Sequence, residues 1–220
     1  MPEGMFVGTS LILRRVASPS HSPASLLYGV RAPRGERGRK VLEVTGIGGA
    51  LESSDTSPGA GAVREALEET RCQVALLKCR ETLVVHSASR LRRIELSGEE
   101  RPAAVVFRHH DTPTRQPWSD QHRGRACIAV FAGELLGPPQ PAMELPALIW
   151  LRPQQVVQIA CRDMGLQDVL DQGARLVEGA ASAMPRDAAV RLVDSQEALV
   201  LALGQNALTF YCGIFGDITA

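Results

Sequence analysis

Apolar positions along this chain come mostly in short runs, separated by glycine, proline and polar breaks. Met5–Val16 (MFVGTSLILRRV) is β-rich and apolar and predicts a strand, with Gly8 as a candidate bulge. The serines and prolines of Ala17–Ala24 (ASPSHSPA) predict a turn or loop. Leu26–Arg31 and Val41–Thr45 resume strand patterns on either side of Arg34–Lys40, a charged stretch that reads as an exposed connector. After Gly46–Gly49 (GIGG) the period changes. Ser57 suits a helix N-cap and Pro58 the first helical position, so a helix is expected to run to about Arg71. At about 100° per residue, Val63, Ala66, Leu67 and Thr70 form the expected buried stripe, with Glu65, Glu68 and Glu69 opposite.

Strand patterns follow at Gln73–His86, Leu91–Leu96, Ala103–His109 and Ala126–Leu135. Asp111–Gly124 and Gly137–Pro146 read as proline-bearing loops, Ala147–Leu151 as a strand, and Pro153–Ile159 as the start of a helix. From Leu166 the spacing turns helical, in LQDVLDQGARLVEG and then DSQEALVLALG. Many strands with one early helix and several late ones predict an α+β fold with helices on the sheet faces. Residues 1–160 read as one domain, and 161–220 as a C-terminal helical extension packed on it.

Composition narrows the classes. The chain is 45% hydrophobic but only 4% aromatic, so its core must be aliphatic. Lys+Arg and Asp+Glu both number 24, and this zero balance argues against a nucleic-acid surface or an anionic-membrane surface. The five cysteines, Cys72, Cys79, Cys127, Cys161 and Cys212, include no CxxC pair, which argues against a zinc site or a disulfide framework. MPEGMFVGTS has no basic segment ahead of an apolar run, and no apolar run reaches the roughly 18 residues of a membrane span. A cytoplasmic location is the expectation. The apolar end, LTFYCGIFGDITA, is a candidate homodimer surface.

The helix after the glycine loop carries the candidate chemistry. Glu65, Glu68 and Glu69 are related as i, i+3 and i+4, so their carboxylates are expected to converge within one turn. One reading is a solvated face, with Arg64 relieving repulsion from Glu68. The other is a ligand set for a hard divalent cation, which takes carboxylates, peptide carbonyls and substrate phosphates. Gly46, Gly48 and Gly49 would allow the close backbone approach that the second reading needs. The loop is not a P-loop, because GxxxxGK[ST] is absent, and Leu51 stands where a dinucleotide GxGxxG would close.

The segment resembles a Nudix box, G-x5-E-x7-R-E-U-x-E-E-x-G-U with U aliphatic. Gly49 through Asp55 is followed by eight residues rather than seven, then by Arg64-Glu65-Ala66-Leu67-Glu68-Glu69-Thr70-Arg71-Cys72. The REUxEE half matches in full. Asp55 stands in place of Glu, one residue is inserted, and Arg71 replaces the closing Gly. Weaker similarity runs to about Ile159 through AVFAGELLG and LIWLRPQQV.

The resemblance implies a Nudix-like α/β/α sandwich around a mixed β-sheet. It implies a metal-dependent hydrolase that cuts a pyrophosphate bond in a nucleoside diphosphate linked to another moiety, such as a nucleotide sugar, an ADP-ribose-like compound or an NTP. Mg²⁺ or Mn²⁺ would be held by Glu65, Glu68, Glu69 and the carbonyl of Gly48. Glu65 would also be the base, and Arg64 would orient a box glutamate. Asp55 reads as a turn or cap residue. Glu144, six residues before Trp150, matches loosely an acid that some members carry outside the box. Trp118 and Arg115, near His109 and His110, are candidates for stacking on a base and for contacting phosphate. The altered loop and Arg71 leave a second expectation, a nucleotide-binding regulatory domain of weak or no activity.

Overall fold

The structure, a computed structural model, describes residues 6–15, 25–87, 90–98, 100–107, 127–180 and 183–215. In chain order its elements are β1 (Phe6–Arg15), β2 (Leu26–Val30), β3 (Arg34–Glu36), β4 (Arg39–Thr45), α1 (Pro58–Thr70), β5 (Val74–Leu76), β6 (Thr82–Ser87), β7 (Arg90–Ile94), β8 (Ala104–Phe107) and β9 (Cys127–Leu135). There follow β10 (Ala147–Leu151), α2 (Pro153–Cys161), β11 (Met164–Gly165), α3 (Leu166–Asp171), β12 (Arg175–Glu178), β13 (Ala189–Leu192), α4 (Asp194–Leu203) and α5 (Ala207–Phe215). The strands join one mixed sheet in the order β11-β13-β4-β2-β1-β9-β8-β6-β7. β10 bridges β2 and β12, β3 hairpins onto β4, and β5 lies on β9. The pairs β1/β9, β4/β13 and β6/β8 are parallel.

The expected α+β architecture, helices on both faces of a mixed sheet, is observed. Alternation along β1 separates the two layers. Ile12 points into the larger core with Val156 and Ile159 of α2, Leu199 of α4 and Tyr211 of α5. Leu11 and Leu13 point the other way, against Ala62 and Ala66 of α1. Both cores are aliphatic, as the low aromatic content requires.

The sheet forks at β2. Its whole length pairs with β10 on one edge. On the other edge Leu26 and Leu27 pair with β1, while Gly29 and Val30 pair with β4. The chain leaving β4 enters the fork and lies along β1: Leu11 N donates to Ile47 O at 2.7 Å and Thr9 N to Gly49 O at 2.9 Å. The glycine loop is therefore tied to the central strand before α1 begins.

Several local expectations need correction. Arg34–Lys40 is a hairpin rather than a plain connector. Arg37 (φ 47) and Gly38 (φ 81) take the two left-handed positions of a tight two-residue turn. Gln73–His86 is divided, since β5 pairs with β9 and β6 with β7 and β8. The residues after 160 are not purely helical. LQDVLDQGARLVEG stops being helical at Asp171, turns through Gly173 (φ 93), and returns as β12 on the edge of β10. β13 then extends the sheet beside β4. Helical spacing alone could not reveal these pairings, because strand partners remote in sequence decide them.

The helical run Asp194–Phe215, 22 residues including a 3-10 turn at Gly204–Asn206, is long and apolar enough to cross a membrane by length and composition. Asp194, Glu197, Gln205 and Asn206 interrupt it, so no unbroken apolar run marks it in the sequence. Here α4 is almost wholly buried in the protein core, and Gly204 (φ 53) breaks the run. The C-terminal helix α5 packs Ala207, Tyr211 and Phe215 into the same core.

Candidate active site

α1 starts as its sequence dictates. The Ser57 hydroxyl accepts from Ala60 N at 3.0 Å, and Pro58 holds the first helical position. Its end differs in residue but not in shape from the box. Arg71 stands where the resemblance has glycine, yet adopts φ 51, ψ 24 and closes the helix by donating its N–H to Leu67 O. A left-handed arginine costs about 1 kcal/mol relative to glycine.

The facing of α1 is the main departure from the wheel. Gly59, Gly61, Ala62, Ala66 and Thr70 are buried, whereas Val63 is 37% and Leu67 50% exposed. The buried stripe is thus made of small residues, which let the helix lie close on β1 and β5. The largest apolar side chains of the helix face water. This rotation brings Glu65 and Glu69 toward the glycine loop, half-buried, while Glu68 stays exposed. The acids are not simply a solvated face.

The carboxylates do not converge on one point. Arg64 takes two of them: its Nη1 donates to Glu65 Oε1 at 2.9 Å and to Glu68 Oε2 at 3.1 Å. Its other donors reach Asp55, Nε to Oδ1 at 3.1 Å and Nη2 to Oδ2 at 3.0 Å, and the carbonyl of Ala50 at 3.0 Å. Asp55 forms the expected turn, accepting from Glu52 N at 2.8 Å. It is also the bidentate clamp on Arg64, a role that sequence reasoning did not assign. The signal was present: Asp55 occupies the acidic position of the box. The Arg64 hydrogen bond lowers the Asp55 carboxyl below its ordinary value, and Asp55 in turn keeps Arg64 protonated.

Glu69 points elsewhere. Its Oε2 accepts from Gly48 N at 2.8 Å. Gly48 was expected to offer its carbonyl, but the contact formed here uses its N–H. The residue must be glycine: φ is +147, and a Cβ would lie 2.3 Å from Thr9 O. At Gly49 a Cβ would meet the Glu65 carboxylate at 2.6 Å, so that acid lies directly over the bare peptide and a side chain there would push it aside. Burial pushes Glu69 up to about 8, with Glu65 and Glu144 adding to the rise and the Gly48 N–H and Arg31 opposing it. Burial also raises Glu65, against the pull of the Arg64 hydrogen bond. Glu144, on an exposed loop, is therefore close enough for its charge to act on the pocket.

Among the described residues no three His, Cys, Asp or Glu side chains are gathered into a cation cage. The donor set nevertheless suits a hard cation, being carboxylates and peptide groups only. Trp118, Arg115, His109 and His110 lie outside the described residues. His86 stacks on Phe107 with ring centroids 4.3 Å apart, in keeping with a structural role.

No family model matches the chain, and no curated protein does. Among solved structures, a Nudix hydrolase from Nitrosomonas europaea is similar over 67% of this chain and 58% of its own, at 15% identity and TM-score 0.35. A Nudix-family hydrolase from Clostridium perfringens is similar over 70% of this chain and 85% of its own, at 14% identity and TM-score 0.40. A Nudix hydrolase from M. smegmatis is similar over 70% and 74%, at 18% identity and TM-score 0.37. All three belong to the family that the box resembles. At these TM-scores the likenesses carry no argument about chemistry, which rests on the residues above.

Proposed function

We propose that this protein is a metal-dependent pyrophosphohydrolase of the Nudix type, acting on a nucleoside diphosphate linked to another moiety. The observation that carries the reading is the inward rotation of α1. It sets Glu65 and Glu69 against the Gly48–Gly49 loop at the cost of exposing Val63 and Leu67.

Glu65, Glu68, Glu69 and the Gly48 carbonyl would hold Mg²⁺ or Mn²⁺. When bound, the ion supplies positive charge against the phosphate oxygens. Glu65 accepts the proton of the attacking water, its carboxylate kept over Gly49 by the Arg64 guanidinium. Asp55 keeps Arg64 in place by filling two of its donors. Glu144 reaches the pocket from the loop before β10 and contributes to substrate binding. Arg115 and Trp118 would hold phosphate and base. The small-molecule substrate, the absence of a nucleic-acid partner, the cytoplasmic location and a homodimer belong to the same proposal.

The test is a substrate panel of nucleotide sugars, ADP-ribose, dinucleoside polyphosphates and NTPs, with Mg²⁺ or Mn²⁺. At least one should release a nucleoside monophosphate or pyrophosphate, and Glu65→Gln should lower kcat on it roughly 10²- to 10⁴-fold. Release from none of them would overturn the reading.

A further inference from the structure

Two charged residues outside the box, Arg31 and Asp194, pair beside the end of β4, where the chain enters the glycine loop. Arg31 follows β2 directly, its peptide N–H donating to Glu43 O at 2.9 Å. Gly29, two residues earlier on the same sheet face, is covered by Leu145, the neighbour of Glu144. The Arg31 guanidinium turns toward Asp194: Nη2 donates to Oδ2 at 2.8 Å, and Nη1 lies 3.6 Å from Glu43 Oε2.

Asp194 comes from the far end of the chain. β13 runs parallel to β4, and Val193 N donates to Val44 O at 3.0 Å, which sets the start of α4 beside the fork in the sheet. Asp194 itself has φ 59, an unusual conformation for a residue with a Cβ. In that conformation its carboxylate reaches both Arg31 and the Thr45 hydroxyl, the latter at 3.5 Å. Strain of this kind persists where surrounding structure over-determines it, and it collects at functional sites.

The pair is not sealed. The Arg31 side chain is 39% exposed and that of Asp194 34%. An ion pair this exposed contributes little stability. Only the Asp194 contact is a hydrogen bond; Glu43 flanks Nη1 at 3.6 Å as an ion pair, so the planar fork keeps further N–H donors for an oxyanion. Its charge is also felt by Glu69, with the sign opposite to that of Glu144.

We propose that Asp194 is a positioning residue supplied to the pocket by the C-terminal segment, and that it holds the Arg31 guanidinium where it hydrogen-bonds a phosphate of a nucleoside-diphosphate-type substrate. The inference rests on the pyrophosphohydrolase reading. It makes the residues after 160 part of the site rather than an appendage.

The experiment uses the full-length chain and Arg31→Ala, Arg31→Lys, Asp194→Asn and Arg31→Ala/Asp194→Asn. KM and kcat are measured on the best panel substrate, with ADP affinity by calorimetry and thermal melting alongside. Arg31→Ala should raise KM and the ADP Kd roughly 10- to 100-fold, the range of a charge-assisted hydrogen bond. The change in kcat should be smaller, and free guanidinium ion should restore part of the loss. Arg31→Lys should recover less than half of it. Asp194→Asn should raise KM several-fold alone and add nothing to Arg31→Ala. An unchanged KM and ADP Kd in Arg31→Ala, or equal effects of Asp194→Asn in both backgrounds, would overturn the proposal while leaving the hydrolase reading intact. If Arg31→Ala melts too early to assay, the Lys variant decides: raised KM at normal melting supports the contact, unchanged KM removes it. If the wild type hydrolyses nothing, the hydrolase reading fails. ADP affinity then decides the contact, which stands only if Arg31→Ala weakens a measurable wild-type binding.

Discussion

Glu69 makes the metal-free protein sensitive to pH in a direction opposite to that of most paired carboxylates. Its carboxyl titrates at about 8 in the fold, against an ordinary value of 4.5. The folded state therefore holds a proton that the unfolded chain has lost, and stability falls as pH rises between those values. Below pH 4.5 the contribution is fully present, and it is gone above about pH 8. Linkage puts the loss at roughly 3 kcal/mol between pH 4.5 and 7, with roughly 1 kcal/mol more by pH 9. For a chain of this size that corresponds to roughly 6–12 °C of melting temperature at pH 7. Glu69→Gln removes the titration while its amide oxygen still accepts from Gly48 N. The assay is thermal melting of both proteins from pH 5.5 to 8.5 in EDTA, reading the difference between them so that other titrating groups cancel. The variant should melt higher at pH 7, and the gap should widen with pH. Added Mg²⁺ should raise the wild type more than the variant, because only the wild type offers it the carboxylate. A difference that stays constant across the range would refute the buried-acid account of this pocket.

Two further outcomes test the geometry. Leu67→Ser, on the exposed side of α1, should change stability by less than about 0.5 kcal/mol, whereas Ala66→Leu should cost at least about 2 kcal/mol by overpacking against β1; urea denaturation of both checks the helix facing, and the reverse order would restore the wheel. Asp55→Ala should cost about 1–3 kcal/mol, because the Asp55 side chain is only 6% exposed and its loss leaves two Arg64 donors unpaired, and should lower kcat about 10-fold or more as Arg64 loses its clamp; melting together with steady-state kinetics reads both, and an unaltered kcat would reduce Asp55 to a turn residue.

Much of this protein was legible in its residues. Ser57 and Pro58 mark where α1 begins, because capping chemistry is local. Most strand positions follow from short apolar runs, and Arg64-Glu65 with Glu68-Glu69 after a glycine loop marks the candidate site. Local pattern could not tell which side of α1 lies inward. Val63 and Leu67 outrank Ala62 and Ala66 in hydrophobicity, but a helix lying close on a sheet needs small residues, and that demand comes from β1 rather than from α1. The partners of the acids were hidden for a similar reason. Glu65 and Glu68 share Arg64 with Asp55, while Glu69 turns to Gly48, a division made by the fork in the sheet that carries the loop along β1.

What the chain determined by itself is the set of local preferences: where helices and strands start and stop, which face of each strand is apolar, and that acids follow glycines. What only tertiary structure decided is which distant segments meet. β13 brings Asp194 to Arg31 across 163 positions of sequence, and β12 joins β10 where spacing predicted a helix. Side-chain periodicity reports on neighbours a few residues apart, whereas the pairing of strands is set by the burial of both sheet faces at once, a quantity no single segment carries.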